Sequence, residues 1–339
     1  MRVCSNCFSD RELIGFIDSS GSTGDCEVCN SNAVSTINIS ELLDYFQELL
    51  TNFQRLEQGE SLKSILQRQW NFFSSDQIGS AILDEVLGQI TTDITSADDS
   101  VDYIDEIISN YEYWDILKDN IKWNSRFLVG LDVLQEDLGW DGFFNTQFEL
   151  NSEAMLYRAR VHHESGLKAY EPKNMMCPKP KHAKGGRANP TGIPHLYLSD
   201  NPDTVLYEVR ASFLDELSVG KFRLKQDPGK VKIVDFTEDT PLFQPSSVNG
   251  TIKARLLRDR ISTDLSKPMR RYDTEIEYVP TQFICEFIRV ITDASGIRFR
   301  SSVHPEGKNM VIFDQEIMEC VEVTLQQVDN LDLSAKNIQ

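Results

Sequence analysis

Residues 195–214 read HLYLSDNPDTVLYEVRASFL, and this stretch combines the two kinds of secondary structure found in the second half of the chain. His195–Leu198 is strand-like in composition. Asn201 and Pro202 then form a favourable pair for the N-cap and the first turn of a helix. The stretch therefore predicts a strand, a short turn and a helix that runs from Pro202 toward Leu214.

Further strand-like stretches lie on both sides of this unit, and a second Pro-initiated helix is predicted from Pro280. The strands are predicted at Met155–Arg160, Lys230–Phe236, Gly296–Arg300 and Met310–Phe313. Because strands and helices do not alternate regularly, the pattern indicates an α+β fold rather than a βαβ series. Residues 164–194 form a long loop rich in Lys, Gly and Pro, and loops of this length often carry function.

Four of the seven cysteines form two CxxC pairs near the N-terminus, Cys4 with Cys7 and Cys26 with Cys29. A CxxC turn places two thiolates on one edge of a tetrahedron, and two such turns complete a four-sulfur zinc site. We therefore expect residues 1–35 to form a zinc ribbon. With sulfur at every position no open site for a catalytic water remains, so the expected Zn²⁺ is structural.

Residues 36–148 are predicted to form an acidic helical domain. Apolar residues recur at helical spacing between Ser40 and Phe53. Ser74 and Gln77 resemble a capping box, and Ser96-Ala-Asp-Asp precedes a predicted helix that begins near Val101.

Charge divides the chain into two halves. Residues 1–150 hold 8 Lys and Arg against 27 Asp and Glu, whereas residues 151–339 hold 26 of each. The excess of acid in the first half disfavours binding to nucleic acid or to an anionic membrane. The sequence shows neither an apolar run long enough to span a membrane nor a secretion signal, so we expect a cytoplasmic protein.

The candidates for chemistry form an ordered set in the second half, while the P-loop, HExxH and GxGxxG motifs are absent from the sequence. The set comprises Tyr157-Arg158, Gly186-Arg187-Ala-Asn189-Pro-x-Gly192-x-Pro194, Leu196-Tyr197-Leu198, Glu208, and Arg300-Ser301-Ser302-Val303-x-Pro305.

This ordered set resembles the RES domain family, named for its Arg, Glu and Ser, over residues 150–325. The resemblance implies an ADP-ribosyltransferase-like fold with NAD⁺ as the substrate, cleaved at the nicotinamide–ribose bond with water or phosphate as the acceptor. It also implies a bacterial toxin of a toxin–antitoxin or anti-phage system. The zinc ribbon with acidic helices is similar to an extension on one branch of the family, sometimes classed with HEPN domains. Residues 326–339 are then a C-terminal tail.

The resemblance assigns a role to each member of the set. Arg158, Glu208 and Ser301 match the catalytic residues, with Ser302 as the alternative to Ser301. A carboxylate such as Glu208 can stabilise the oxocarbenium-like transition state, and an Arg fork suits a diphosphate. The substrate-binding candidates are Tyr157, Arg160, Arg187, Asn189, Tyr197 and Ser302.

Three alternatives stay open. The same fold could transfer ADP-ribose to a protein or nucleic acid. The N-terminal half could dock an antitoxin or a trigger protein, and the family also includes homo-oligomers. A HEPN-type ribonuclease is disfavoured, because all five histidines follow residue 160.

Overall fold

The computed structural model describes residues 1–145, 147–226, 229–238, 240–243, 247–268 and 275–330. The chain divides into two compact units: unit 1 is Met1–Tyr113 with Asp239–Leu257, and unit 2 is Trp114–Glu238 with Arg258–Gln339. This division differs from the four predicted domains, because residues 114–148 fall in unit 2 and residues 239–257 in unit 1. The domain assignments stay a prediction, and residues 331–339 of the predicted tail lie outside the described residues.

The described residues contain both helices and strands. The strands are β1 (Arg2–Cys4), β2 (Ser22–Gly24), β3 (Val34–Asn38), β4 (Phe53–Ser61), β5 (Ser100–Tyr103), β6 (Gln147–Glu149), β7 (Leu156–Val161), β8 (Leu196–Ser199), β9 (Glu216–Leu224), β10 (Lys232–Asp235), β11 (Gly296–Arg300), β12 (Lys308–Ile312) and β13 (Met318–Gln327). The helices are α1 (Arg11–Ser20), α2 (Leu43–Leu50), α3 (Leu62–Trp70), α4 (Asp76–Leu87), α5 (Asp105–Trp123), α6 (Pro172–Met175), α7 (Pro202–Glu208), α8 (Val248–Ser266) and α9 (Val279–Thr292). The predicted α+β class is confirmed.

Unit 1 begins with a three-stranded antiparallel sheet in the order β1-β3-β2. Helix α1 starts after Asp10, whose carboxylate caps it by accepting from the backbone N–H groups of Glu12 and Leu13. Leu13 and Ile17 on α1 belong to the same core as Phe46 of α2. The cysteine-bearing segment is therefore packed against the helices that follow it.

The prediction that residues 36–148 are helical needs a correction. Strands β4 and β5 pair in an antiparallel ribbon, and Val101, predicted to start a helix, lies in β5. The helix α5 begins only at Asp105. Val101 and Tyr103 are buried, and this two-residue period is that of a half-buried strand. The predicted cap of α4 is displaced by one residue, because Ser75 accepts from the N–H of Ile78.

Unit 2 is built on an eight-stranded sheet in the order β13-β9-β7-β8-β12-β11-β10-β6. The pairs are antiparallel except for β10 with β11. One apolar core on this sheet includes Leu156, Leu196, Phe222, Met310 and Met318. The four strands predicted beside 195–214, the strand at 195–198 and the helix after Pro280 are all present. The strand at Gly296–Arg300 has the predicted ends, and the ends of the other elements are shifted by one to three residues.

Several elements of unit 2 differ from the predictions, and two of them have a local explanation. The first is the helix from Pro202, which ends at Glu208 rather than near Leu214; Arg210 and Leu214 adopt positive φ values of 53° and 69°, which a helix does not allow. The second is β9, which was not predicted; β6, β13 and α8 were not predicted either. The β9 residues Leu217 and Val219 pack in one cluster and Phe222 and Leu224 in another, so no simple alternation marks this strand.

Among the described residues, none of the helices has the length and apolarity needed to cross a bilayer.

Candidate active site

A cavity of about 550 Å³ lies where strands β7 and β8 of the unit 2 sheet diverge. Strands β7 and β8 pair only through Tyr157 and Ser199, whereas β7 pairs with β9 along its whole length. The residues that line the cavity come from both sides of this divergence and from α7, β11 and β12. They are Arg158, Ala159, Gly186, Arg187, Tyr197, Leu198, Ser199, Val205, Tyr207, Glu208, Val209, Arg210, Pro268, Tyr278, Phe299, Val303 and Asn309. The volume lies within the usual range for small-molecule sites, about 300–1,000 Å³.

Glu208 is the last residue of α7, and its exposed side chain borders this cavity. The helix starts where Asn201 caps the N–H of Asp203 over 2.8 Å. One oxygen of the carboxylate, Oε1, accepts from Ser301 Oγ over 2.7 Å and from Asn309 Nδ2 over 2.6 Å. Among the described residues, none donates to the other oxygen, Oε2. The carboxylate is thus held through one oxygen, in a side chain that lines the cavity.

The proton of the Ser301 hydroxyl has one available acceptor. Ser301 is buried, and its Oγ accepts from the N–H groups of Val303 over 3.3 Å and His304 over 3.2 Å. Since a hydroxyl has two lone pairs and a single proton, that proton points to Glu208. Ser302 is exposed. The structure therefore brings Ser301 to Glu208, and not Ser302.

The turn that carries Ser301 is fastened to α7. His304 Nδ1 and Thr204 Oγ1 are 2.7 Å apart, and the His304 ring stacks on Tyr207 with centroids 5.2 Å apart. Gly307 lies so close to Thr204 that any Cβ at position 307 would overlap with that side chain. Glycine is therefore required here by close approach.

Arg158 contributes a half-buried cation to the cavity. Its Nη1 is inaccessible to solvent and has no hydrogen-bond partner among the described residues. Burial and then the neighbouring Arg160 charge lower the pKa of Arg158, while a hydrogen bond with Cys177 acts in the opposite direction. The guanidinium nevertheless stays charged at neutral pH. A half-buried, incompletely paired cation of this kind favours an anionic ligand.

The loop from Gly186 to Asn189 forms one wall of the cavity. Tyr197 Oη accepts from the N–H of Ala188 over 2.9 Å and donates to Asn189 Oδ1 over 2.8 Å. A Cβ on Gly186 would lie 2.7 Å from that hydroxyl oxygen. Arg187 also lines the cavity and donates from Nη1 to the carbonyl of Leu265 over 2.8 Å.

The predicted site residues thus fall into two groups. Arg158, Glu208, Tyr197 and Arg187 line the cavity, and Ser301 reaches it through Glu208. The others lie outside the lining: Tyr157, Arg160, Asn189 and Ser302.

Contacts explain the second group. Arg160 donates to the carbonyl of Met176 over 2.6 Å, and the Asn189 amide donates to the carbonyls of Lys184, Pro190 and Ile193. Tyr157 packs with Val161 in an apolar cluster.

Asn309 is the residue that sequence reasoning missed. It lies in β12 between Ser199 of β8 and Phe299 of β11, and it is 8% exposed. A polar residue at an inward position of a strand whose other residues are mostly apolar is a usable signal, but the sequence does not reveal which residue it contacts.

A second site lies in unit 1, where the four predicted cysteines come together. Their sulfur atoms all lie within 4.8 Å of one another. Cys4 Sγ is 3.9 Å from Cys7 Sγ and 3.4 Å from Cys29 Sγ, and Cys7 Sγ is 3.5 Å from Cys26 Sγ. Zn–S bonds of about 2.3 Å in a tetrahedron place the sulfurs about 3.8 Å apart, so the cluster has the dimensions needed to hold a metal ion.

One comparison with known proteins, a family model, matches the part of the chain that lines the cavity. The RES domain model matches residues 155–334. The comparison with curated proteins gives no match. Among solved structures, the M. tuberculosis MbcT–MbcA toxin–antitoxin complex matches with 14% identity and a TM-score of 0.32, covering 55% of this chain and 88% of that chain. Because the family model covers more than half of the residues and includes Arg158, Glu208 and Ser301, the chain belongs to the RES domain family.

Proposed function

We propose that this protein cleaves NAD⁺ at the bond between nicotinamide and ribose. One observation carries the proposal: Glu208, oriented by Ser301, and the half-buried Arg158 border the same cavity, although they come from distant parts of unit 2. Membership of the RES family supports the substrate class.

The arrangement suits cleavage of an N-glycosidic bond. Departure of nicotinamide leaves positive charge on the ribose, and a carboxylate beside it stabilises that charge. Glu208 Oε2 is available for this role or for a ribose hydroxyl. Nicotinamide leaves as a neutral molecule, so the site needs no strong general acid.

Arg158 would bind the diphosphate. Its Nη1 group has no protein acceptor among the described residues, and a guanidinium can offer two parallel donors to phosphate oxygens. Arg187 has one nitrogen committed to Leu265 and retains further donors for the same ligand. The Tyr197 hydroxyl forms hydrogen bonds with the Gly186–Asn189 loop, so we expect the ring of Tyr197 to be the part that contacts the ligand.

The acceptor decides which of two reactions follows. With water the products are nicotinamide, ADP-ribose and a proton; with phosphate the second product is ADP-ribose carrying a phosphate on its anomeric carbon. Transfer of ADP-ribose to a macromolecule is the remaining outcome of the same cleavage.

The test is incubation of the purified full-length protein with NAD⁺, with and without phosphate, followed by chromatography. Release of nicotinamide supports the proposal, and the second product identifies the acceptor. NAD⁺ labelled in the adenosine moiety would report transfer to protein or nucleic acid. Intact NAD⁺ under conditions in which a control NAD⁺ glycohydrolase is active would contradict the proposal.

For unit 1 we propose a structural Zn²⁺ on Cys4, Cys7, Cys26 and Cys29. Four sulfur ligands leave no coordination position for substrate, so this ion would stabilise the fold rather than take part in the reaction. We also propose that a protein partner, an antitoxin or a trigger, restrains the enzyme, because an NAD⁺-consuming toxin must be inactive in its own cell.

A further inference from the structure

Asn309 donates one of the two hydrogen bonds that hold Glu208. Its Nδ2 lies 2.6 Å from Glu208 Oε1, the same oxygen that accepts from Ser301. The two donors approach from different parts of the chain, since Ser301 follows β11 and Asn309 lies within β12. Two donors on one oxygen fix the rotation of a carboxylate better than one, and they leave Oε2 for the ligand.

The strand that carries Asn309 is a rigid support. β12 pairs on one side with β11, where Asn309 lies opposite Phe299, and on the other side with β8, where it lies opposite Ser199. Asn309 is buried at 8% exposure, and its side chain lines the cavity beside both neighbours. Paired strands hold a side chain more precisely than loops do.

Glu208 by contrast has little local support. It ends a helix of seven residues, and two positions later Arg210 has a positive φ of 53°. The side chain is exposed toward the cavity. A mobile carboxylate would lose part of its effect on the transition state, because electrostatic stabilisation depends on groups that are already oriented.

We propose that Asn309 is a positioning residue for the reaction, which holds the Glu208 carboxylate in its productive orientation through Oε1. This inference rests on the proposed NAD⁺ cleavage. Because Asn309 acts through Glu208, its removal slows the chemical step and has little influence on NAD⁺ binding. Its effect also depends on the presence of the Glu208 carboxylate.

The experiment uses the full chain and measures nicotinamide release as a function of NAD⁺ concentration. Asn309→Leu removes the donor but keeps the number and branching of the side-chain heavy atoms, and Asn309→Asp replaces the donor by an acceptor that repels Glu208. We expect kcat to fall at least about tenfold in both variants and KM to change less than about threefold. Asn174→Leu, at an exposed position of α6, is the matched control with wild-type kcat. Circular dichroism monitors folding. If Asn309→Leu does not fold, the kcat of Asn309→Asp tests the inference.

A double-mutant cycle separates positioning from a general structural effect. In the Glu208→Gln background, Asn309→Leu should lower the residual rate by less than about twofold. An equal loss in both backgrounds, an unchanged kcat in the single variants, or a change confined to KM would overturn the inference while leaving NAD⁺ cleavage standing. A wild-type protein that does not cleave NAD⁺ would overturn both.

Discussion

The carboxylate of Glu208 accepts a hydrogen bond from the hydroxyl of Ser301 over 2.7 Å, although 93 positions separate the two residues. All hydrogen-bonding positions of this hydroxyl are occupied, because its two lone pairs accept from the N–H groups of Val303 and His304. Ser301 therefore acts as an orienting donor to Glu208 and has no spare capacity for a nucleophilic role.

The neighbouring serines allow a direct comparison. Ser301→Ala removes a donor to Glu208 and leaves two backbone N–H groups without their acceptor, so we expect kcat for NAD⁺ cleavage to fall at least about tenfold, or about 1.4 kcal/mol. Ser302→Ala changes an exposed side chain, and its effect should be at least about tenfold smaller. Steady-state kinetics of both variants check this. A larger loss for Ser302→Ala would contradict the assignment.

Arg158 should strengthen the binding of NAD⁺ and lower the stability of the folded protein. Its guanidinium is buried, and burial lowers the pKa of Arg158 because the charge is poorly solvated. Arg158→Met removes this charge at similar length. We expect KM for NAD⁺ to rise at least about tenfold, while the melting temperature stays equal to that of the wild type or increases.

Arg158→Lys is the second variant, because it keeps the charge and loses the fork geometry of the guanidinium. Its KM for NAD⁺ should lie between that of the wild type and that of Arg158→Met. A Met variant that melts well below the wild type and binds NAD⁺ normally would show that Arg158 is structural.

Asp235 should make unit 2 sensitive to acid. Burial raises its pKa, but the Arg298 ion pair and hydrogen bonds from Thr237 outweigh burial, and the pKa lies below its ordinary value. Because the folded-state pKa is below the unfolded one, this contribution to stability is fully present above pH of about 4 and is lost as the pH falls through the folded-state pKa.

Asp235→Asn should lower the free energy of unfolding by about 3 kcal/mol at pH 7, since it leaves Arg298 without its carboxylate. Denaturant titrations at pH 7 and pH 3 measure the free energy of unfolding. The difference in this free energy between variant and wild type should be smaller at pH 3. Asp293→Asn is the control: Asp293 is exposed at the end of α9 with φ of 54°, a conformation that Asn also tolerates. A pH-independent difference would contradict the role given to the ion pair.

The cysteine cluster should hold one Zn²⁺ per chain. Cys7→Ser removes a buried sulfur of the cluster, whereas Cys320→Ser alters a half-buried cysteine in β13 that lies outside it. Elemental mass spectrometry should find zinc in the wild type and the Cys320 variant but not in the Cys7 variant. Because metal binding contributes to folding, the Cys7 variant and the chelated wild type should melt several degrees lower. Equal melting temperatures, or a protein without zinc, would contradict the proposal.

The sequence predicted β7, β8, β10, β11 and β12 of unit 2 because most of them are short apolar runs between clear turns. β9 was not predicted, because Leu217 and Phe222 pack in different clusters and the strand lacks a simple alternation of apolar and polar residues. β5 was read as part of a helix, because Val101-Asp-Tyr-Ile-Asp-Glu-Ile-Ile satisfies both periods and only pairing with β4 decides between them. Propensity in such a stretch is overridden by tertiary contacts.

For the candidate site, residue types and their order predicted Arg158 and Glu208, which do line one cavity. Arg160 was predicted to bind substrate, yet it lies outside the cavity lining and donates to the Met176 carbonyl. The divergence of β7 from β8 after a single pair creates the cavity, and no local pattern encodes it. Asn309 was missed for the same reason, since its role depends on a contact 101 positions away.

The most direct test of the central claim is the rate of nicotinamide release from NAD⁺ by the wild type and by Glu208→Gln. The substitution keeps the shape of the side chain and removes its charge. We predict that the wild type cleaves NAD⁺ and that the variant is slower by at least about a hundredfold, or about 3 kcal/mol of transition-state stabilisation, with its fold intact by circular dichroism. A folded Glu208→Gln protein that releases nicotinamide at the wild-type rate would contradict the account.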